Sequence, residues 1–372
     1  MDRILFFSRD PGGANVIAPV IKYITGRYQT IVYAKDYSVS CLRSEGIDCK
    51  DLSEEFPEIT EDSVCDFIRK KNPKAIVTGT SLNDFTERYL WKVGEKLGIP
   101  TYAIMDQWIH MGIRFSPFDY NGLAEYENHH IFKYVPSNIL VMDELAKQIL
   151  AEEGIPEAKI VVTGQPHFDV VRSRYKSAVV NRSDYRCVRV LFASEPKLAD
   201  NEATYWGYDE QKIFAYIYKT VCRLQRGLEK NIELLIRPHP RENPVEWEAV
   251  IEKCNVDGAG IKVLVDHTED TFSLLKSVDV VCGMSSMFLI EALLCNVPTV
   301  SCLIGLKQES PFIFDRLGIY KSCKNMDELY QQLEAVICQG LSPKVAFPFI
   351  ENATENIIND ILEDIKDGSI SN

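Results

Sequence analysis

Several familiar signatures are missing from this chain. Its 11 cysteines include no C-x-x-C pair, which removes the usual zinc-ribbon and redox-dithiol spacings. An odd cysteine count does not build a closed disulfide framework, so a reducing cytoplasm is the expected setting. Lys and Arg number 41 against 54 Asp and Glu, a net charge of -13. That balance argues against nonspecific nucleic-acid binding, which needs clustered cations. The apolar stretch in "MDRILFFSRD" is too short for a signal-peptide core, and no apolar run is long enough to span a bilayer. Neither H-E-x-x-H nor a D-x-D triad at a strand end occurs, so no metal site is expected.

What remains is 372 residues, 46% hydrophobic and 26% charged. This is the composition of a folded protein long enough for two cores. Short β-rich runs alternate with amphipathic stretches. Strands are expected at Ile4–Phe7, Thr30–Ala34, Ala75–Thr78, Thr101–Ile104, Ile139–Val141 and Ile160–Thr163. Helices are expected at Asn15–Thr25, Glu61–Lys70, Thr86–Leu97 and Asp143–Glu153. "KLGIP" and "EEGIP" supply helix-stopping glycines. Such alternation predicts parallel β-α-β units with helices on both sheet faces. The pattern restarts at "RVLFAS" (Arg189–Ser194), after the charged and irregular stretch Arg172–Arg186. Further strands are expected in "ELLIRPHP", "KVLVD", "VDVVCG" and "PTVSCL", with helices at Lys212–Leu228, Val245–Lys253 and Ser286–Leu294. The expected fold is α/β: two tandem Rossmann-like, doubly wound domains facing across a cleft. They would comprise residues 1–170 and 187–351, with a final helix in 352–372 packing back on the first. Ligands of such sheets bind at the carboxyl ends of the strands.

Two stretches carry the strongest chemical signal. In "VDVVCGMSSMFLIEALLCNVPTV", a strand runs into a helix opened by Ser285 and Ser286. Unpaired N–H groups and the helix dipole favour an anion there, so a phosphate is the natural ligand. Glu291, inside that helix, is placed for a ribose diol. The bland alternative makes the serines caps and Glu291 a solvent-facing residue. In "LLIRPHPRENP", Arg237, His239 and Arg241 follow a strand, and two prolines stiffen the turn. Two arginines around a histidine suit phosphate or carboxylate, unless this is a rigid surface turn.

The first half offers a matching element in "RDPGGANVIAPVI". Gly12 and Gly13 permit close backbone approach or positive φ, and Asn15 can cap the helix or reach a ligand. Arg9 and Asp10 fall on the acceptor side of the expected cleft, although Asp-Pro-Gly is also an ordinary turn signal. "IMDQWIHMGIRF" places Asp106 at a strand tip, where a general base belongs. Trp108 could stack on a sugar and His110 lies nearby; the alternative is aromatic packing under a loop. "GTSLND" adds Thr80 and Ser81 at the neighbouring strand tip. His167 and Asp169 in "VVTGQPHFD" are placed at the hinge.

Taken together, "TGQPHFD", "RPHP" and "GMSSMFLIEAL" resemble GT-B-fold nucleotide-sugar enzymes. His239-Pro240 and Ser285-Ser286 are similar to the two nucleotide-binding motifs of bacterial sialyltransferases and polysialyltransferases, and of CDP-glycerol glycerophosphotransferases. That resemblance implies His239 as a general acid at the leaving phosphate, with Ser285 and Ser286 holding the same group. It implies a base as well, and Asp106 substitutes for the acidic motif of sialyltransferases. "SRDPGGANVIAPVI", "PHPRENP", "VTGQPHFD" and Glu291 also resemble UDP-N-acetylglucosamine 2-epimerases. Here the acidic residue expected after the glycine of "GTS" is missing, and Ser285-Ser286 replaces Gly-Gly.

The implied activity is a metal-independent glycosyltransferase of surface-polysaccharide synthesis. It would use a CMP-, CDP- or UDP-linked sugar as co-substrate, with no permanently bound cofactor. Its partners would be the nucleotide-sugar donor and a glycan or lipid-linked acceptor, with no nucleic acid. The expected location is cytoplasmic, with peripheral association at the inner face of the membrane left open. The alternatives are a UDP-sugar 2-epimerase or hydrolase, and a noncatalytic nucleotide-sugar binder.

Overall fold

The computed structural model describes residues 2–55, 58–180, 182, 187–228, 231–255, 261–268, 270–341 and 349–370. The chain divides into two compact units, Met1–Val170 with Pro348–Asn372, and Val171–Phe347.

The N-terminal unit contains β1 (Arg3–Ser8), β2 (Gln29–Ala34), β3 (Lys50–Asp51), β4 (Ala75–Thr78), β5 (Thr101–Ile104), β6 (Asn138–Val141) and β7 (Ile160–Val162). They form one sheet in the order β3-β2-β1-β4-β5-β6-β7, and every neighbouring pair is parallel. A continuous apolar run such as Ile4–Phe7 suits a strand covered on both faces. Ile4 and Phe6 pack with the helices Pro11–Ile24 and Ala353–Ile370. Leu5 and Phe7 turn to the opposite face, against Glu61–Lys71 and Thr86–Lys96. Ile357, Ile358 and Ile361 of the last helix are all buried in the first of these cores. Each such side chain contributes about 1.5–3 kcal/mol of burial.

The C-terminal unit contains β8 (Cys187–Ala193), β9 (Asn231–Arg237), β10 (Lys262–Val265), β11 (Val280–Gly283) and β12 (Thr299–Ser301). Their order is β10-β9-β8-β11-β12, again parallel throughout. Both sheets are thus doubly wound, and each has a switch point where the strand order reverses: β1/β4 in one and β8/β11 in the other. Cys282, Cys295 and Cys302 are buried, and all the cysteines are free thiols. Among the described residues no helix is long and apolar enough to cross a membrane.

Three sequence expectations need correction. The first helix begins at Pro11 rather than Asn15, because proline suits the first helical turn. Gly12 and Gly13 therefore lie inside the helix, and neither has a positive φ. Arg172 through Ser177 continue the helix Pro166–Ser177 instead of forming an irregular linker. Of the remainder of that stretch, 181 and 183–186 lie outside the described residues.

Candidate functional site

The loops after β1, β4 and β5 converge in the N-terminal unit. Gly13 and Gly79 permit this, since a Cβ on Gly79 would fall 2.7 Å from the Gly13 Cα. A Cβ on Gly12 would overlap the Asp106 carboxylate. The glycine pair thus serves close approach, not an unusual dihedral angle. Asn15 is exposed in the helix, and the N-cap position belongs to Asp10. Asp10 pairs at 3.1 Å with Arg9, which also pairs with Asp36 at 2.7 Å.

Asp106 is the centre of this corner. Its Oδ1 accepts from Arg114 Nη1 at 3.2 Å and from Thr80 Oγ1 at 3.5 Å. Its backbone carbonyl accepts from Gln165 Nε2 at 2.6 Å. A short 3-10 turn, Gly112–Phe115, folds Arg114 back into the corner. There Nη1 also donates to the Thr80 carbonyl and, at 2.9 Å, to Thr80 Oγ1. Burial pushes the Asp106 carboxyl above the usual range; Arg114 opposes this shift, and Asp10 adds to it. The result is a carboxylate with a raised proton affinity in a fixed position, as a general base requires.

Ser81 is buried; its backbone N–H donates to Glu87 Oε2 at 3.0 Å. Glu87 is only 1% exposed, and its Oε1 has no hydrogen-bond partner. Burial first, then the charge of Asp10, pushes its carboxyl up to about 8. Arg88, equally buried, donates to the backbone carbonyls of Leu82, Ile113 and Arg114. It ties the β4 loop to the segment carrying Arg114.

Trp108 takes the structural alternative. It is 4% exposed, its indole N–H donates to Asp143 at 2.9 Å, and its ring stacks on Phe168. It therefore offers no platform to a sugar. His110 has φ +49°, and its carbonyl accepts from Arg114 Nε at 3.2 Å. His167 and Asp169 lie in the helix Pro166–Ser177.

In the C-terminal unit, Ser285 and Ser286 follow β11 and precede the helix Met287–Leu294. The Ser285 donors are already engaged by Glu195, from the loop after β8. The Ser285 N–H donates to Glu195 Oε1, and its hydroxyl donates to Oε2 at 3.0 Å. Ser286 is the N-cap residue but makes no side-chain cap bond. Glu291 is half-buried in the same helix.

Arg237, the last residue of β9, is engaged by the loop after the neighbouring strand β10. It pairs with Asp266 at 2.8 Å and donates to the Thr268 carbonyl and to Thr271 Oγ1. Arg241 pairs at 2.7 Å with Asp200. His239 is held from two sides, its backbone N–H donating to Glu242 Oε2 at 2.6 Å and its ring Nδ1 accepting from the Arg241 backbone N–H at 3.2 Å. Burial, with the charges of Arg241 and Lys197, lowers its imidazole to about 4. The ring is therefore neutral near pH 7 before any anion binds, with its proton on Nε2. A neutral Nε2–H can donate a hydrogen bond to an oxyanion.

Sequence reasoning gave no role to Glu87, Arg88, Glu195, Lys197, Tyr208 or Glu242. For Glu195 a usable signal was position, since it follows the first strand of its sheet, beside the switch point.

No protein-family model matches the chain, and no curated protein matches its sequence. Solved structures do match in fold. MnaA of S. aureus, in a co-structure with UDP, has a TM-score of 0.67 at 17% identity, covering 97% of this chain and 96% of that one. The UDP-GlcNAc 2-epimerase of Neisseria meningitidis, bound to UDP-GlcNAc, has a TM-score of 0.67 at 14% identity, covering 97% and 100%. MurG of Acinetobacter baumannii has a TM-score of 0.58 at 11% identity, covering 98% and 100%. The α/β fold is thus of GT-B type. The resemblance to UDP-N-acetylglucosamine 2-epimerases agrees with these likenesses in fold; the one to sialyltransferases and glycerophosphotransferases gains no support from them.

Proposed function

We propose that this chain is an enzyme acting on a nucleotide-activated sugar, with UDP the favoured carrier, and that it transfers the sugar to an acceptor hydroxyl. The GT-B fold supports the substrate class, as do the UDP and UDP-GlcNAc found in structures of similar fold. The observation that carries a catalytic role is Asp106, a partly buried carboxylate of raised proton affinity fixed by Arg114 and Thr80. In the reaction the acceptor oxygen bonds to the anomeric carbon and its proton passes to Asp106. The anomeric C–O bond breaks, and its electron pair leaves with the nucleotide phosphate. The C-terminal unit would take the nucleotide, with His239 donating one hydrogen bond from Nε2 to the phosphate and Glu291 meeting the ribose.

The second reading, 2-epimerisation, is favoured by the epimerases of similar fold. Set against it is Thr80, where the epimerase pattern has an acidic residue. The two are separated by incubating the protein with UDP-GlcNAc in D2O. Transfer predicts UDP release that depends on added acceptor and leaves the C2 proton in place. Epimerisation predicts C2 deuteration without acceptor. In either reaction Asp106→Asn lowers turnover by about 100-fold or more. Unchanged turnover in that variant removes Asp106 from the chemistry.

A further inference from the structure

An anion already sits at the switch point of the C-terminal unit, and the chain itself supplies it. Glu195, 6% exposed, takes both donors of Ser285 ahead of the helix Met287–Leu294. A phosphate would be expected to take the same donors, since aligned N–H groups and the helix dipole favour negative charge there. The surroundings are prepared for more than one carboxylate. Lys197 lies 3.6 Å from Glu195 and 2.8 Å from Glu202. The Tyr208 hydroxyl, on a side chain 1% exposed, lies beside the Ser285 hydroxyl and the charge of Glu195 but makes no well-formed hydrogen bond. A buried hydroxyl left unpaired costs free energy unless something arrives to accept from it.

We infer that Glu195 is an internal competitor for the nucleotide phosphate: loading requires its carboxylate to leave Ser285, and the exchange sets how strongly phosphate contributes to affinity. This rests on the nucleotide-sugar reading above. On departure Glu195 keeps a cation within reach in Lys197, while the phosphate inherits the Ser285 donors and can accept from Tyr208. Hydrogen bonds are exchanged rather than added, so the phosphate gains less here than at an empty cradle. The competition acts only on the charged part of the ligand, leaving the nucleoside's own contacts untouched.

The test is calorimetric titration of the full chain and of its Glu195→Ala and Glu195→Gln variants with UDP and, separately, with uridine. The expected result is about tenfold tighter UDP binding in Glu195→Ala, with uridine affinity unchanged. Glu195→Gln, which retains hydrogen bonding without charge, should shift the same way by less. It decides the matter if the alanine variant does not fold. UDP affinity that is unchanged or weaker in the variants overturns the competitor role while leaving the nucleotide-sugar reading intact. Failure of all three folded proteins to bind UDP overturns both.

Discussion

Asp106 in the N-terminal unit and Glu195 in the C-terminal unit are carboxylates near the switch points of two parallel sheets, but they are held differently. Asp106 meets a guanidinium and a hydroxyl in a corner closed by glycines. Glu195 meets a backbone N–H and a hydroxyl ahead of a helix, with a lysine slightly farther off. A carboxylate locked to an arginine stays where a reaction needs it. One resting on donors that a phosphate can also use is exchangeable. The same topology therefore provides one carboxylate tied to a buried cation and one tied to neutral donors ahead of a helix.

The largest effect that would break this contrast is in the Asp106 corner. Arg114→Met leaves Asp106 and Thr80 without their buried donor and should destabilise by about 3–5 kcal/mol. Glu195→Gln should cost only about 1 kcal/mol. Urea unfolding of both variants checks the order, and equal losses would end the distinction. A second test uses the glycines beside the switch points. Gly79→Ala drives a Cβ toward the Gly13 backbone at 2.7 Å. In Gly283→Ala the nearest atom, at 2.6 Å, is a Leu289 methyl that can turn, although the Ala193 carbonyl lies at 2.9 Å. Both should destabilise within about 1–3 kcal/mol, with Gly79→Ala the worse in thermal unfolding.

The most gradual effects are in the pH dependence, where the two units should respond in opposite directions. Glu87 has an ordinary value of 4.5 raised to about 8 in the fold. The native state therefore binds the extra proton, and this stability is lost as pH rises through that window. His239 falls from 6.5 to about 4, so its contribution is present above 6.5 and is lost as pH falls toward 4. Glu87→Gln should remove a fall in stability between pH 4.5 and about 8, and His239→Asn a rise between about 4 and 6.5. A profile that neither variant alters would remove both groups from the comparison.

Strands such as β1 and β4 were legible because a sheet covered on both faces requires unbroken apolar runs. The strand β3, Lys50–Asp51, was not, being two polar residues at the sheet edge. Gly12-Gly13 read as a turn because local sequence does not reveal that Asp106 arrives from far along the chain to touch the helix. Trp108 read as a sugar platform, whereas its partner Asp143 is identified only by tertiary packing. Glu87 lies at the start of the expected helix Thr86–Leu97, where nothing in the local pattern marks it out. Its burial, and the engagement of Ser285 by Glu195, depend on loops brought together by strand order rather than by periodicity.

The last helix has a consequence for how the chain is made. Ile357, Ile358 and Ile361 complete a core begun by residues near position 4, so the N-terminal unit cannot seal that face until residue 361 has left the ribosome. Synthesis proceeds at about 5–20 residues per second. The first unit to be translated therefore waits, with an apolar groove uncovered, while the second is translated in full, and nascent chains stalled before residue 353 should be prime clients for chaperones.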